Sequence, residues 1–264
     1  MTVLQPERRL GWIGGAVPGR CPAPATGAPG GVPAAASSPQ TLVFDADDTL
    51  WENNIRFEAV VAGFLDWLNH PELDRFALRA VLNEVERVNS ATHGYGSKVF
   101  VRSLHDCFER VSGRPPEARE RAEIDALAEE LHHHRVFLVP QVAELLADLA
   151  SRHTLRLLTK GDPAEQRGKL DASGLASLFV SVHIVEEKDE GTYRRLAGDF
   201  GLDPATVWMI GNSPRSDINP ARRAGWRAVF VPNPNTWALE HDAIDHTDPA
   251  VLMCRSLADL RQHF

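Results

Sequence analysis

Cysteine is scarce in this chain and scattered. Its three residues, Cys21, Cys107 and Cys254, form neither a disulfide framework nor the paired spacing of a zinc site. They fit a reducing compartment, and a cytoplasmic location is expected. No apolar run reaches the roughly 18 residues of a membrane-spanning helix. A basic excess is missing as well: 28 Lys and Arg stand against 36 Asp and Glu, a formal charge of −8, which disfavours general nucleic-acid binding. No internal repeat is evident. What remains is the balance of an ordinary globular protein, 43% hydrophobic and 24% charged over 264 residues. It excludes collagen-like, coiled-coil-only and wholly disordered chains and suggests one or two domains.

The composition is uneven. Residues 14–39 hold six Gly, six Pro and seven Ala, too little apolar bulk to bury and too many breakers for a helix or strand. Arg8-Arg9 precede a segment, Leu10 to Val17, that has three glycines in eight residues and makes a poor export signal. Residues 1–40 are therefore expected to be a disordered extension, and the globular part to begin near Thr41.

From there the pattern has two rhythms. Thr41–Phe44 is an apolar run that stops at Asp45 and reads as a buried strand. Phe57, Val60, Val61, Phe64, Leu65 and Leu68 recur at helical spacing until His70-Pro71. Further helices are expected over about 74–89, 99–111 and 116–134, with a glycine-rich loop at 93–98. Four helices without a strand suggest a helical bundle. After Pro140 strands and helices alternate. Strands are expected at 154–158, 179–185, 206–210 and 227–231, and helices at 141–151, 164–173, 190–200 and 217–224. This alternation predicts an α/β fold, a Rossmann-like parallel sheet with helices on both faces. The expected division is a core of 41–54 and 137–264, with residues 55–136 inserted as a helical domain.

Ligands of open parallel sheets bind beyond the carboxyl ends of the strands. The polar residues gather at those ends: Asp45-Ala46-Asp47-Asp48-Thr49, then Thr159-Lys160-Gly161-Asp162, then Glu186-Glu187-Lys188-Asp189, then Gly211-Asn212-Ser213-Pro214-Arg215-Ser216-Asp217. Solvent contact explains one or two such tips, but three aspartates directly after an apolar strand repel one another unless a cation offsets them. Several carboxylates with a neutral oxygen suit Mg²⁺, and a lysine with a hydroxyl suits a phosphate dianion. Asp45 and Asp47, two apart, face one side of an extended strand end. One is then placed to attack phosphorus and the other to pass a proton to the leaving group.

On these residues the chain resembles the haloacid dehalogenase-like (HAD) superfamily of phosphohydrolases over about residues 41–262. Motif one, Asp-x-Asp-x-Thr after an apolar strand, stands as Asp45-Ala46-Asp47-Asp48-Thr49. Motif two ends a strand at Thr159, motif three is Lys188, and motif four is Gly211-Asn212-Ser213-Pro214-Arg215-Ser216-Asp217. The resemblance implies Asp45 as nucleophile and Asp47 as general acid and base, its backbone carbonyl also binding Mg²⁺. It implies Thr159 and Lys188 as holders of the phosphoryl oxygens, and Asp45, Asp47, Asn212 and Asp217 around the metal. The inserted helices resemble the C1 cap that chooses substrate, with Trp51, Glu52 and Asn53 at its hinge. Lys160, Gly161, Tyr95 and Lys98 are candidate substrate contacts.

Two positions depart from the family pattern. Asn212 stands where Asp is common, leaving an amide oxygen without charge. Lys160 follows Thr159 where Asn is common, and either adds positive potential near the phosphate or points to solvent. Plainer roles stay open elsewhere: an ion-pair cluster for Lys188, a helix N-cap for Asp217, an ordinary turn for Tyr95 and Lys98, and a polar helix end for His132-His133-His134. Dehalogenation is disfavoured because dehalogenases of the family lack the second aspartate. The expectation is a Mg²⁺-dependent phosphatase acting on a small phosphorylated metabolite. Its alternatives are an inactive HAD-like module that binds a phosphorylated ligand or a protein, and a phosphomutase.

Overall fold

The computed structural model describes residues 39–132 and 135–264. The expected extension, Cys21 and most of the His132–His134 triplet lie outside them.

Strand β1 (Thr41–Phe44) leads to a two-residue strand, β2 (Trp51–Glu52), and then to four helices: α1 (Asn54–Leu68), α2 (Arg75–His93), α3 (Ser97–Ser112) and α4 (Ala118–Ala128). A short strand β3 (Phe137–Leu138) follows. The remainder alternates as α5 (Val142–Ala150), β4 (Thr154–Lys160), α6 (Pro163–Ser173), β5 (Ser181–Val185), α7 (Glu190–Phe200), β6 (Val207–Gly211), α8 (Asn219–Arg223), β7 (Arg227–Phe230) and β8 (Val251–Met253).

Six strands form one parallel sheet in the order β5-β4-β1-β6-β7-β8. The apolar run of β1 is continuous because both faces of the sheet are covered. Leu42 and Phe44 pack on one side with Leu145, Leu146 and Leu149 of α5 and Leu170 of α6. Val43 points the other way, to Tyr193 and Leu196 of α7, Ala221 of α8 and Trp226. Trp208 and Ile210 share the first side and Val207 and Met209 the second, the period-two alternation of a strand. The fold is the expected Rossmann-like α/β sheet.

Helices α1 to α4 bury a cluster of their own. Val60, Val61, Phe64 and Leu65 of α1 meet Leu78, Leu82 and Val85 of α2, Phe100, Leu104 and Phe108 of α3, and Ile124 of α4. Local chemistry sets their ends. Asp74 Oδ1 accepts the Ala77 N–H at 2.8 Å at the start of α2, and α4 opens on a capping box of Glu117 and Glu120.

The elements differ from the sequence pattern in specific places. Strands β2 and β3, at the entry to and exit from the helical block, pair antiparallel. Two-residue strands have no periodicity to read. Edge strand β8, three residues long, was equally invisible. Helix α4 stops at Ala128 and gives way to a 3-10 turn over Glu129–His132, so the α-helix ends before His132. Strand β4 extends through Thr159 and Lys160, which fixes their side chains to opposite faces.

Two substitutions in α2 separate packing from exposure. Leu82 is fully buried and Phe76 is 84% exposed. Leu82→Ala is expected to lower unfolding free energy by about 2–5 kcal/mol, and Phe76→Ala to change it by less than about 0.5 kcal/mol, as read from urea midpoints.

Candidate active site

Strand ends β1, β4 and β6 and the start of α7 meet at one cavity of about 160 Å³, roofed by α1, α2 and the start of α3. Asp45, Asp47, Thr159, Lys160, Gly161, Lys188, Asn212, Asp217 and Tyr95 all line it. Lys98 does not. It is exposed on α3, and its candidacy as a substrate contact is withdrawn, because the helix begins at Ser97 and turns Lys98 outward.

At the floor, Lys188 Nζ donates to Asp45 Oδ1 at 2.5 Å and to Asp217 Oδ1 at 2.8 Å. All three side chains are buried. Burial works against the Lys188 ammonium, but Asp217 and Asp45 outweigh it and its pKa rises. Asp217 is pushed up by burial and then by the Asp45 charge, against the pull of Lys188 and of the Ser213 N–H. The Ser213 N–H donates to Asp217 Oδ2 at 2.9 Å.

Asp217 does not cap a helix. It sits inside a single π-helical turn, Pro214–Ile218, whose capping side chain is Ser213, which accepts the Ser216 N–H. This wider turn swings the carboxylate back over the end of β6. A Cβ on Gly211 would lie 2.1 Å from Asp217 Oδ2, so only glycine fits there.

Thr49 Oγ1 stands 2.8 Å from Asp45 Oδ2 and 3.1 Å from Asn212 Oδ1. One hydroxyl has one proton, and the charged carboxylate is the stronger acceptor. The Asn212 amide oxygen is thus left with free lone pairs, while its Nδ2 is held by Thr236 Oγ1 at 2.7 Å. Among the described residues, no three of His, Cys, Asp and Glu converge as a metal cage by themselves. The donor set here is mixed: carboxylates of Asp45 and Asp217, the Asn212 amide and the Asp47 backbone carbonyl. It is all oxygen and carries excess negative charge even with Lys188 present, which fits a hard divalent cation such as Mg²⁺.

Asp47 is held differently. Its carboxylate accepts from Trp51 Nε1 at 2.7 Å, Gln166 Nε2 at 2.9 Å and Lys169 Nζ at 2.9 Å. Burial alone would raise its pKa, but the Lys169 charge and these hydrogen bonds together hold it below the ordinary carboxylate value. Thr159 Oγ1, also buried, is 3.3 Å from Gln166 Oε1. Gly161 adopts φ +137°, and a Cβ there would press on Gln166, so the turn after β4 needs glycine.

Lys160 does not point to solvent; it lines the cavity, where two carboxylates offset its charge. Its ammonium is buried between Glu240 Oε1 at 2.7 Å, Ser216 Oγ at 2.8 Å and Glu187 Oε1 at 3.3 Å, and lies 4.1 Å from the centre of the Tyr95 ring. Tyr95 Oη donates to Glu187 Oε2 at 2.5 Å.

Sequence reasoning missed Gln166, Lys169, Thr49 as a link, Glu240 and Trp237. Gln166 and Lys169 had a signal. They lie one helical turn apart on the face of α6 that also buries Leu170, and a polar pair there is unusual. Glu240 lies in an irregular segment and had none.

The family model "haloacid dehalogenase-like hydrolase" matches residues 39–225. The chain belongs to this family. A phosphoserine phosphatase of Thermus thermophilus is similar to this hydrolase at 33% identity over 179 residues, 64% of this chain and 69% of the relative. An N-acylneuraminate-9-phosphatase of Homo sapiens is 29% identical over 103 residues, 37% of this chain and 42% of the relative. Among solved structures, a HAD-like family hydrolase from Xanthomonas campestris superposes with a TM-score of 0.73 at 29% identity, covering 84% of this chain and 88% of that one. The chain is thus a hydrolase with phosphatases among its relatives. None of its described helices is long and apolar enough to cross a membrane.

Two outcomes follow from the packing of this hydrolase. Gly211→Ala is expected to displace Asp217, lowering both the melting temperature and turnover; an unshifted melting temperature would place the carboxylate elsewhere. Glu86 of α2, also in the cavity wall, is pushed by burial from 4.5 up to about 7, with Arg79 opposing and Glu58 adding. Between those values the folded state binds more protons than the unfolded one, so this group's stabilising contribution falls as pH rises through the window. Glu86→Gln is therefore expected to gain in melting temperature relative to the parent between pH 5 and pH 8.

Proposed function

We propose that the chain is a Mg²⁺-dependent phosphomonoesterase for small phosphorylated metabolites, working through a phosphoryl group carried on Asp45. The observation that carries this reading is the position of Asp45 at the cavity floor, aligned by Lys188 on one oxygen and Thr49 on the other. Phosphatases among the sequence relatives support it, as does a cavity sized for a small molecule. We take helices α1 to α4 as the cap over the site.

In this mechanism a carboxylate oxygen of Asp45 forms a bond to phosphorus as the bond to the ester oxygen breaks. The leaving oxygen takes a proton from Asp47, and Asp47 later accepts one from the water that attacks the aspartyl-phosphate. Asp47 is held ionised by Lys169, which suits the second step; the first requires a proton on it when the ester is bound. Lys188 has one N–H beyond those given to Asp45 and Asp217, and this N–H and the Thr159 hydroxyl are the donors for phosphoryl oxygens. Asp45, the Asp47 carbonyl, Asn212 and Asp217 would hold Mg²⁺, which would supply positive charge to offset two anions that must approach each other.

Phosphate release from p-nitrophenyl phosphate is the test. Turnover is expected to stop with chelator, return with Mg²⁺, and be absent in Asp45→Asn. Asp47→Asn is expected to lose about 10²–10⁴-fold in kcat. Metal-independent turnover, or equal activity in Asp45→Asn, would overturn the reading.

A further inference from the structure

The cavity carries a charge imbalance that attack on phosphorus does not use. Its lining has eight carboxyl groups and three lysines. The lysines are committed. Lys160 spends three N–H groups on Glu240, Ser216 and Glu187, and Lys169 donates to Asp47 and to Asn53. Lys188 keeps one N–H. That suffices for one phosphoryl group and leaves no cation for a second acidic group.

The carboxyls can be taken in turn. Asp45, Asp47 and Asp217 belong to the floor. Asp48 accepts the N–H groups of Asn53 and Asn54. Glu58 pairs with Arg79 at 2.6 Å and Glu240 with Lys160 at 2.7 Å. Glu165 accepts the N–H and hydroxyl of Ser97 and lies 3.5 Å from Lys169.

Glu86 differs. It is 5% exposed, and its Oε2 accepts from Trp237 Nε1 at 3.3 Å. Among the described residues that is the one hydrogen bond of its carboxyl, and it forms no ion pair; Arg79, whose charge acts on it, is paired with Glu58 instead. The same cavity wall is aromatic. Phe57 meets Phe100 edge-on at 5.0 Å, and Tyr95 meets Trp237 edge-on at 6.2 Å. Trp237 directly follows Thr236, the partner of Asn212, so the Glu86 carboxyl and the cavity floor share one wall. A buried, half-satisfied carboxyl among aromatic rings is the chemistry that takes an alkylammonium group.

On the phosphatase reading above, we propose that this chain selects phosphomonoesters of amino alcohols, the ammonium of the leaving group meeting Glu86 while the phosphoryl group lies at Asp45. Glu86 is then the residue that determines specificity. Burial holds its carboxyl near neutrality in its pKa, and a cationic partner restores the charge.

The test compares phosphoethanolamine with n-propyl phosphate, which replaces the ammonium by a methyl group. The parent is expected to favour the aminated ester by roughly tenfold or more in kcat/KM, mainly through KM. In Glu86→Gln the ratio is expected to fall to near one, and Glu86→Asp to restore part of it. A parent ratio near one overturns the proposal, and so does a ratio that persists in Glu86→Gln. The p-nitrophenyl phosphate assay reports separately on the phosphatase reading. If that ester is not hydrolysed above the Asp45→Asn background, calorimetric titration of the same two esters still decides the present point: equal Kd values refute it. Trp237→Phe, which removes the bond to Glu86 Oε2, serves as a second variant and is expected to weaken the preference without abolishing it.

Discussion

Asp45 and Asp217 are separated by most of the chain, yet their carboxylates meet the same ammonium group, at 2.5 and 2.8 Å. Two carboxylates brought together out of water repel strongly, and the closeness is tolerable only because Lys188 lies between them. The three side chains come from the end of β1, the turn after β6 and the segment before α7. Their contact therefore also fixes how those pieces stand to one another. Removing one partner of such a buried set typically costs about 3–5 kcal/mol, since a charge is left stranded. The remaining site is arranged around this triad. Thr49 orients the other Asp45 oxygen, the Ser213 N–H holds the other Asp217 oxygen, and Gly211 makes the room.

Much of this was legible beforehand, because β1 is apolar without alternation and ends in charges, and because strand and helix alternate after Pro140. Those patterns follow from burial on both faces and from polar groups needing solvent or one another. The polar clusters at the strand ends were read from the pattern, the family resemblance singled out Asp45, Thr159, Lys188, Asn212 and Asp217 within them, and the cavity gathers these residues. What was illegible depended on geometry that spacing does not encode. The π-helical turn around Asp217 reads in sequence as the start of an ordinary helix. Lys98 looked like part of the loop beside Tyr95, but α3 starts at Ser97, two residues before the expected 99, and leaves Lys98 exposed. Lys160 was left between the phosphate and solvent because nothing in the sequence brings Glu240, 80 residues on, to its side.

The acidity of the chain is also resolved into parts. A net charge of −8 is an awkward match for an anionic substrate when spread over a surface. Within the cavity the carboxylates have distinct duties. Some surround the oxygen-rich floor and some neutralise Lys160 and Lys169. On the phosphatase reading, the basic groups at the floor are consequently tuned rather than abundant, and the floor presents one spare ammonium donor instead of an open positive field.

The small antiparallel ribbon of β2 and β3 ties the two crossings between sheet and helices side by side. Trp51, which belongs to this ribbon, also donates its indole N–H to Asp47 at 2.7 Å. One aromatic side chain therefore belongs at once to the junction between sheet and helices and to the hydrogen-bonding of Asp47, so a change at position 51 touches both.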